Sequence, residues 1–502
     1  MSQLGFIYPE IPARAGIPQS DLGEPFTITP NGRRLIDFDT VPAMQECFLR
    51  SLSAYFIPSA VEPLYSFRIF SPLRHTLAIM IELERRTGES KLNFLEMALH
   101  VQLTSSDNPL EEVVSRILAL RSERDAATNK RRFDQDALSV AAAGMKPRKY
   151  VPGTFNDYAD TNFRYLKATG LVQSKGRGIA IVPEKRVLAG QLVADTSIPD
   201  SDRTLLINLC KGATLPTDNR DAALIILDDL VAQINRRGVP YSVAGRSVQT
   251  PADIAAIRHE IESILSELNE DEYANRQAQE WEEIVKYMEL LINPRRRLKS
   301  DDQESIAIPQ TEAPAYFEWV LWRAFLAIDS LVNKPYKARR FKIDQDFLPV
   351  CTAPGNGPDL IFEFDSFVVA VEVTLTESSR QEAAEGEPVR RHVAELVTQY
   401  EKPVYGMFLA NRVDSNTAET FRIGVWYARD DTRMRLDIVP FTLGQFKVLF
   451  EAMFTSRNVR FAAIRELLDT CGAFRPDLHA PEWKAEIEQT VRVKAASLMA
   501  GQ

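Results

Sequence analysis

The stretch GPDLIFEFDSFVVAVEVT, residues 357–374, sets two acidic side chains, Asp359 and Glu372, into a run of Leu, Ile, Phe and Val. Burying a carboxylate without a partner or a metal is costly, so a core-like segment needs a reason to carry two. The apolar runs on either side of Asp365–Ser366 predict a hairpin. One strand falls near 359–364, Asp-Ser makes a two-residue turn, and a second strand covers 367–375. Such a loop fixes the register, because paired residue numbers then sum to that of the two turn residues, 731. Asp359 and Glu372 satisfy that sum and should face each other with Cβ atoms ~5 Å apart. Thr374 shares the face of Glu372, since strand side chains alternate. Facing carboxylates repel, so either one holds a proton or a divalent cation bridges them. Mg²⁺ suits a few carboxylates completed by waters and substrate phosphate, and it can activate a water for attack on a phosphodiester. Chance alignment on an exposed sheet face would give the same pattern with no chemistry.

The flanks read as a mixed α/β core. Upstream, AYFEWVLWRAFLAIDSL (315–331) is a strongly apolar helix with Glu318 in its first turn beside Trp319 and Trp322. Downstream, Pro388 suits the first position of a helix, which predicts a helix over 388–401 followed by the strand PVYGMFLA (403–410). Glu382, Glu385, Glu387, Arg390, Arg391 and His392 follow the second strand of the hairpin.

A chain of 502 residues exceeds one hydrophobic core, and two to four domains are expected. An apolar content of 45% and a charged content of 26% are those of a globular protein. No apolar run is long enough to cross a bilayer, and MSQLGFIYPEIPARAGIPQ lacks the basic-then-apolar order of a signal peptide. A cytoplasmic protein is expected. Cys47, Cys210, Cys351 and Cys471 are too scattered for a zinc cluster, and the five histidines are scattered too. The net charge of −9 argues mildly against a nucleic-acid partner, but acidic residues concentrate in 258–292 and leave room for basic faces elsewhere.

Helical patterns dominate the first 150 residues, as in PLRHTLAIMIELERRTG (72–88) and the two helices of 93–124. Basic groups then collect at Lys130, Arg131 and Arg132, and again at Lys146, Arg148 and Lys149. DYADTNFRYLKATGLVQSKGRGIAIVPEKRVLAG (157–190) reads as an amphipathic helix with Phe163, Leu166 and Leu171 inward, then a glycine-containing turn, then a short strand. That is the outline of a winged helix. Arg164 and Lys167 on the helix and Lys175 and Arg177 in the turn would contact DNA phosphates, unless the unit serves only packing. Proline and charge interrupt the pattern at 295–312, where Arg295, Arg296 and Arg297 are consecutive. The expected division is a helical subdomain at 1–150, a winged-helix-like and helical subdomain at 151–294, a linker at 295–312, and an α/β domain at 313–502.

The pattern P-D-x12-E-V-T resembles the PD-(D/E)xK nuclease core, with Thr374 where that motif has lysine. FEWVLWRAFLAI (317–328), APGNGPDLIFEF (353–364), VVAVEVTLT (368–376) and EGEPVRRHV (385–393) resemble the AlwI family of type IIS restriction endonucleases and their nicking relatives. The resemblance is specific over 315–412 and loose near 160–185. It implies a mostly helical N-terminal region that recognises a short asymmetric sequence in double-stranded DNA. A C-terminal PD-(D/E)xK domain with a mixed central sheet would cut beside that sequence using Mg²⁺. On this resemblance Asp359 and Glu372 are metal ligands, Glu318 and Glu385 are further active-site acids, and His392 contacts water or phosphate. With the lysine missing, Arg390, Arg391 and His392 are the nearby cations. One such site cuts one strand at a time. Double-strand cleavage then needs a transient homodimer, a second nuclease subunit or sequential cuts, and otherwise the enzyme nicks. The reading of another class is a DNA-binding regulator with a degenerate nuclease fold. No phosphate-cradling loop of the P-loop kind and no nucleophile elbow points to a different enzyme.

Overall fold

Ser71 and Gly88 bracket the first long helix, α1 (Pro72–Thr87). The Ser71 side chain accepts from the Arg74 N–H, and Gly88 closes the C-terminus at φ 80°, a conformation that costs glycine little. The computed structural model describes residues 2–38, 40–62, 66–145, 151–293, 298–299, 305–328, 330–377 and 380–500. Lys146, Arg148, Lys149 and residues 295–297 lie outside them, as does part of the expected linker. The chain forms two compact units, Met1–Leu265 and Ser266–Gln502.

In the first unit α1 leads to β1 (Leu92–Asn93), α2 (Leu110–Ala126), α3 (Lys130–Gly144) and α4 (Pro152–Ala168). α4 buries Phe155, Ala159, Phe163 and Leu166, spaced by four, four and three residues as one helical face requires. β2 (Val172–Ser174) and β3 (Gly178–Ile181) form the antiparallel hairpin that follows, with Gly176 at φ 56° in its turn. β3 also pairs with β1, so the strand order is β1-β3-β2. One core holds Leu77 and Val113 together with Phe163, Leu171 and Leu230. Packing therefore does not separate residues 1–150 from those that follow.

The second unit begins well before the expected linker. Helix α5 (Pro251–Arg276) runs across the division, and α6 (Trp281–Ile292) precedes α7 (Ala313–Ile328). Residues 315–328 of α7 are all buried, as expected of a helix that is apolar all round. Its buried Arg323 ties the segment after α5 to this unit. The guanidinium donates to Gln277 Oε1 at 2.6 Å, Glu283 Oε1 at 2.7 Å and Glu280 Oε2 at 2.8 Å. An unpaired buried cation would be very costly, so the segment 277–283 is tied to α7. Because α7 starts at Ala313, Glu318 sits in its second turn rather than its first.

The central sheet comprises β4 (Leu360–Glu363), β5 (Val368–Thr374), β6 (Val404–Ala410) and β7 (Asp437–Thr442), in the order β7-β6-β5-β4. β4 is antiparallel to β5, while β6 runs parallel to both β5 and β7. The mixed sheet is as expected. The β4–β5 register pairs Leu360 with Val371 and Glu363 with Val368, and the Phe364 N–H donates to Phe367 O at 2.9 Å across the two-residue turn. The register inferred from Asp365–Ser366 is the one observed. Phe325 of α7 stacks on Phe362 of β4 with ring centroids 4.0 Å apart. α8 (Gln381–Gln399) lies on the face that carries Glu372, and α9 (Leu443–Thr455) and α10 (Ala480–Ala500) are among the helices that follow.

Pro388 is not at the start of its helix. α8 begins at Gln381 and carries Pro388 in its interior. Proline there removes one backbone hydrogen bond, but Gln381 anchors the extra turns. Its side chain donates to Thr376 O and Arg412 O and accepts from the Asp414 N–H. Tertiary bonds hold a first turn that local propensity alone would not start.

Candidate active site

The β4–β5 hairpin carries Asp359 just before β4 and Glu372 within β5. Continuing the observed register by one step sets the two residues opposite each other. The Val373 N–H donates to Asp359 Oδ2 at 2.8 Å, so Asp359 is held by the strand that carries Glu372. On α8, His392 Nδ1 lies 2.6 Å from Glu372 Oε1. Its Nε2 is buried and has no hydrogen-bond partner among the described residues. From α7, Glu318 Oε2 accepts from the Ala353 N–H at 2.7 Å.

Electrostatics ties these groups together. Burial, and then the neighbouring Asp359 and Glu372, push Glu318 up to about 9. Burial and then Glu372 and Glu385 push Asp359 up to about 8. Glu372 rises to about 8 through burial and Glu385, although Arg340 and Arg391 oppose the rise. Glu385 is also raised by burial, while a hydrogen bond with the Thr374 side chain counters it. Burial and then Arg391 lower His392. When Glu372 is ionised, as holding a cation requires, a neutral ring that donates from Nδ1 to it presents a lone pair at Nε2.

Glu318, Asp359, Glu372, Glu385 and His392 therefore come together from α7, the hairpin and α8. The other acids of that stretch turn elsewhere, since Glu382 meets Thr420 and Glu387 meets Arg391. Arg390 is also turned away. Its guanidinium bonds Gly386 O and Val425 O and lies over Trp426. Arg391 is paired with Glu387 and Glu395 along α8. Sequence reasoning passed over Arg340, which sits against the chain just before Asp359. The glycine in GNGPD was its one available signal.

Among the described residues no three His, Cys, Asp or Glu side chains form a ready ligand set for a metal. The donors at hand, two facing carboxylates raised chiefly by burial and then by neighbouring acids, still fit a hard divalent cation. Mg²⁺ typically takes one or two protein carboxylates and draws its remaining ligands from water and phosphate.

The four basic residues expected to face DNA belong to the first unit. Arg164 pairs with Asp160 on the exposed side of α4, Lys167 donates to Ser174 Oγ at 3.0 Å, and Lys175 lies 3.2 Å from Glu89. Arg177 falls in the β2–β3 turn.

The AlwI restriction endonuclease family matches residues 2–449 of the chain. The chain belongs to that family. This AlwI-family chain is also similar to the mitochondrial ATP synthase subunit 5 of Eremothecium gossypii, at 28% identity over 116 residues, which is 22% of the chain and 55% of that protein. It thus spans about half the length of that curated relative. Among solved structures it is similar to the small subunit of the heterodimeric restriction endonuclease R.BspD6I. The identity is 25%, the match covers 41% of this chain and 98% of the other, and the TM-score is 0.33. No helix among the described residues is long and apolar enough to cross a membrane.

Proposed function

We propose that the protein is a type II, IIS-like DNA endonuclease that hydrolyses phosphodiester bonds with Mg²⁺ beside a short asymmetric sequence. The observation that carries this reading is the set of half-buried Asp359 with buried Glu372 and His392 on the β4–β5 hairpin and α8, with Glu318 reaching in from α7. Asp359 and Glu372 would hold the cation. When bound, Mg²⁺ would supply an activated water and offset charge at the phosphodiester.

The chain's own groups have distinct tasks in this reading. Neutral His392, oriented by its Nδ1 bond to Glu372, can take a proton at Nε2 from a water beside it. Thr374 holds Glu385 by a side-chain hydrogen bond. The residue in the motif's lysine position therefore supports an acid and supplies no charge. In the first unit, α4 and the β2–β3 hairpin, joined by β1 in the order β1-β3-β2, support a winged-helix reading. Arg164, Lys167, Lys175 and Arg177 would then contact phosphates of double-stranded DNA.

The test is cleavage of supercoiled plasmid with Mg²⁺ or EDTA by the wild type and by Glu372→Ala. We expect breaks at discrete sites that need Mg²⁺ and fall at least about 100-fold in the variant. Equal cleavage by Glu372→Ala would put the active site elsewhere. Intact DNA binding with no cleavage under any divalent metal would favour a non-catalytic regulator.

A further inference from the structure

No lysine stands on β5 beside Glu372, because Thr374 occupies that position and is committed to Glu385 and to the Thr376 N–H. Of the α8 cations, Arg390 is turned to backbone carbonyls, and Arg391 is paired along the helix. Four carboxyls and a histidine thus converge, and the α8 cation that acts on them, Arg391, does so while paired along its own helix.

A further cation lies beside the start of β4. An isolated bridge between Arg339 and Leu360 lays residues 339–341 beside the start of β4. Arg339 points to Glu270, bound at 2.7 Å, so strand alternation turns Arg340 the other way. Arg340 Nη1 donates to Pro358 O at 3.2 Å, and Nη2 donates to Asn356 Oδ1 at 2.5 Å. Its guanidinium occupies the space where a side chain on Gly357 would begin, since a Cβ there would lie 2.2 Å from Nη1. Gly357 does not have a left-handed φ, so close approach of the guanidinium accounts for the glycine. The clamp ends at the residue before Asp359. From that place Arg340 acts electrostatically on both Glu372 and His392.

We propose that Arg340 is the cation that engages the phosphate of the strand to be cut, held ready against Asn356–Pro358. This rests on the nuclease reading above. Arginine suits the task because its fork has five donors, two of which the clamp uses. The remaining N–H groups can meet phosphate oxygens.

The experiment compares wild type, Arg340→Gln, Arg340→Lys, Gly357→Ala and Glu372→Ala as full-length chains. Plasmid cleavage and calorimetric Mn²⁺ binding are read for each, with circular dichroism as a check on folding. For Arg340→Gln we expect a loss of about 100-fold in cleavage, with Mn²⁺ binding unchanged or tighter. Arg340→Lys should recover at least about tenfold of that loss, because lysine keeps the charge. Gly357→Ala, whose Cβ displaces the guanidinium, should cleave more slowly and still bind Mn²⁺. Loss of Mn²⁺ binding in Arg340→Gln would overturn the inference, because the arginine would then only position Asp359. Wild-type cleavage by Arg340→Gln or by Gly357→Ala, with Glu372→Ala inactive, would overturn it and leave the nuclease reading standing. Absence of cleavage by the wild type would sink that reading itself.

Discussion

Glu318, Asp359 and Glu372 are raised to about 9, 8 and 8, chiefly by burial. An unfolded glutamate or aspartate titrates near 4. Between those values the folded chain holds protons that the unfolded chain has lost, so stability falls as pH rises through that window. Below about pH 4 both states are protonated and the difference vanishes. Glu318→Gln removes one titrating group and keeps an acceptor for the Ala353 N–H. In EDTA, its melting temperature should match the wild type at pH 4 and exceed it at pH 9. Each unit of separation is worth ~1.4 kcal/mol for an isolated group, and the three acids share their repulsion. An increase of several degrees is therefore expected for a unit of this size. Thermal denaturation at the two pH values checks this, and a variant that melts with the wild type at pH 9 would refute it. Mg²⁺ or Mn²⁺ should shrink the difference, because cation binding expels the same protons.

At the scale of elements, the hairpin was legible because a two-residue turn leaves one register, and that register alone brings Asp359 opposite Glu372. The mixed sheet and the buried helix α7 followed from apolar runs. Two features were not legible. The start of α8 depends on Gln381 bonding backbone groups at Thr376, Arg412 and Asp414, two of which lie over thirty residues away. The clamp of Arg340 on Asn356 and Pro358 is likewise a long-range contact with no period in the sequence. Pro388 misled because proline favours a first turn, whereas here it interrupts a helix that other bonds hold. Pro388→Ala should restore one backbone hydrogen bond and raise stability by ~1–3 kcal/mol. Urea denaturation would show this as a higher midpoint at unchanged slope. A lower midpoint would mean that the helix depends on the proline's packing. His392 lies four residues beyond Pro388 on α8, so unchanged plasmid cleavage by this variant would indicate that the His392–Glu372 bond survives.

At the scale of the whole molecule, the chain has a net charge of −9, and the acids proposed to bind the cation all lie in the unit Ser266–Gln502. The basic residues of α4 and the β2–β3 turn lie in the unit Met1–Leu265. Recognition and cutting would then draw on separate cores, which accounts for a chain of this length. It also sets the order of events on DNA. Among the described residues the carboxylates gathered with His392 form the proposed site, and in the nuclease reading one such site would attack one phosphodiester at a time. A double-strand break from this chain alone therefore needs a second copy or a second visit. On supercoiled plasmid, open circles should form first, at a rate proportional to protein concentration. Linear product should follow with a steeper dependence on concentration, or be absent if a second nuclease subunit is required. Agarose-gel time courses over a range of concentrations distinguish these cases. Linear DNA that appears from the outset, with no open-circle intermediate at any concentration, would show that both strands are cut in one binding event and would refute strand-by-strand cleavage.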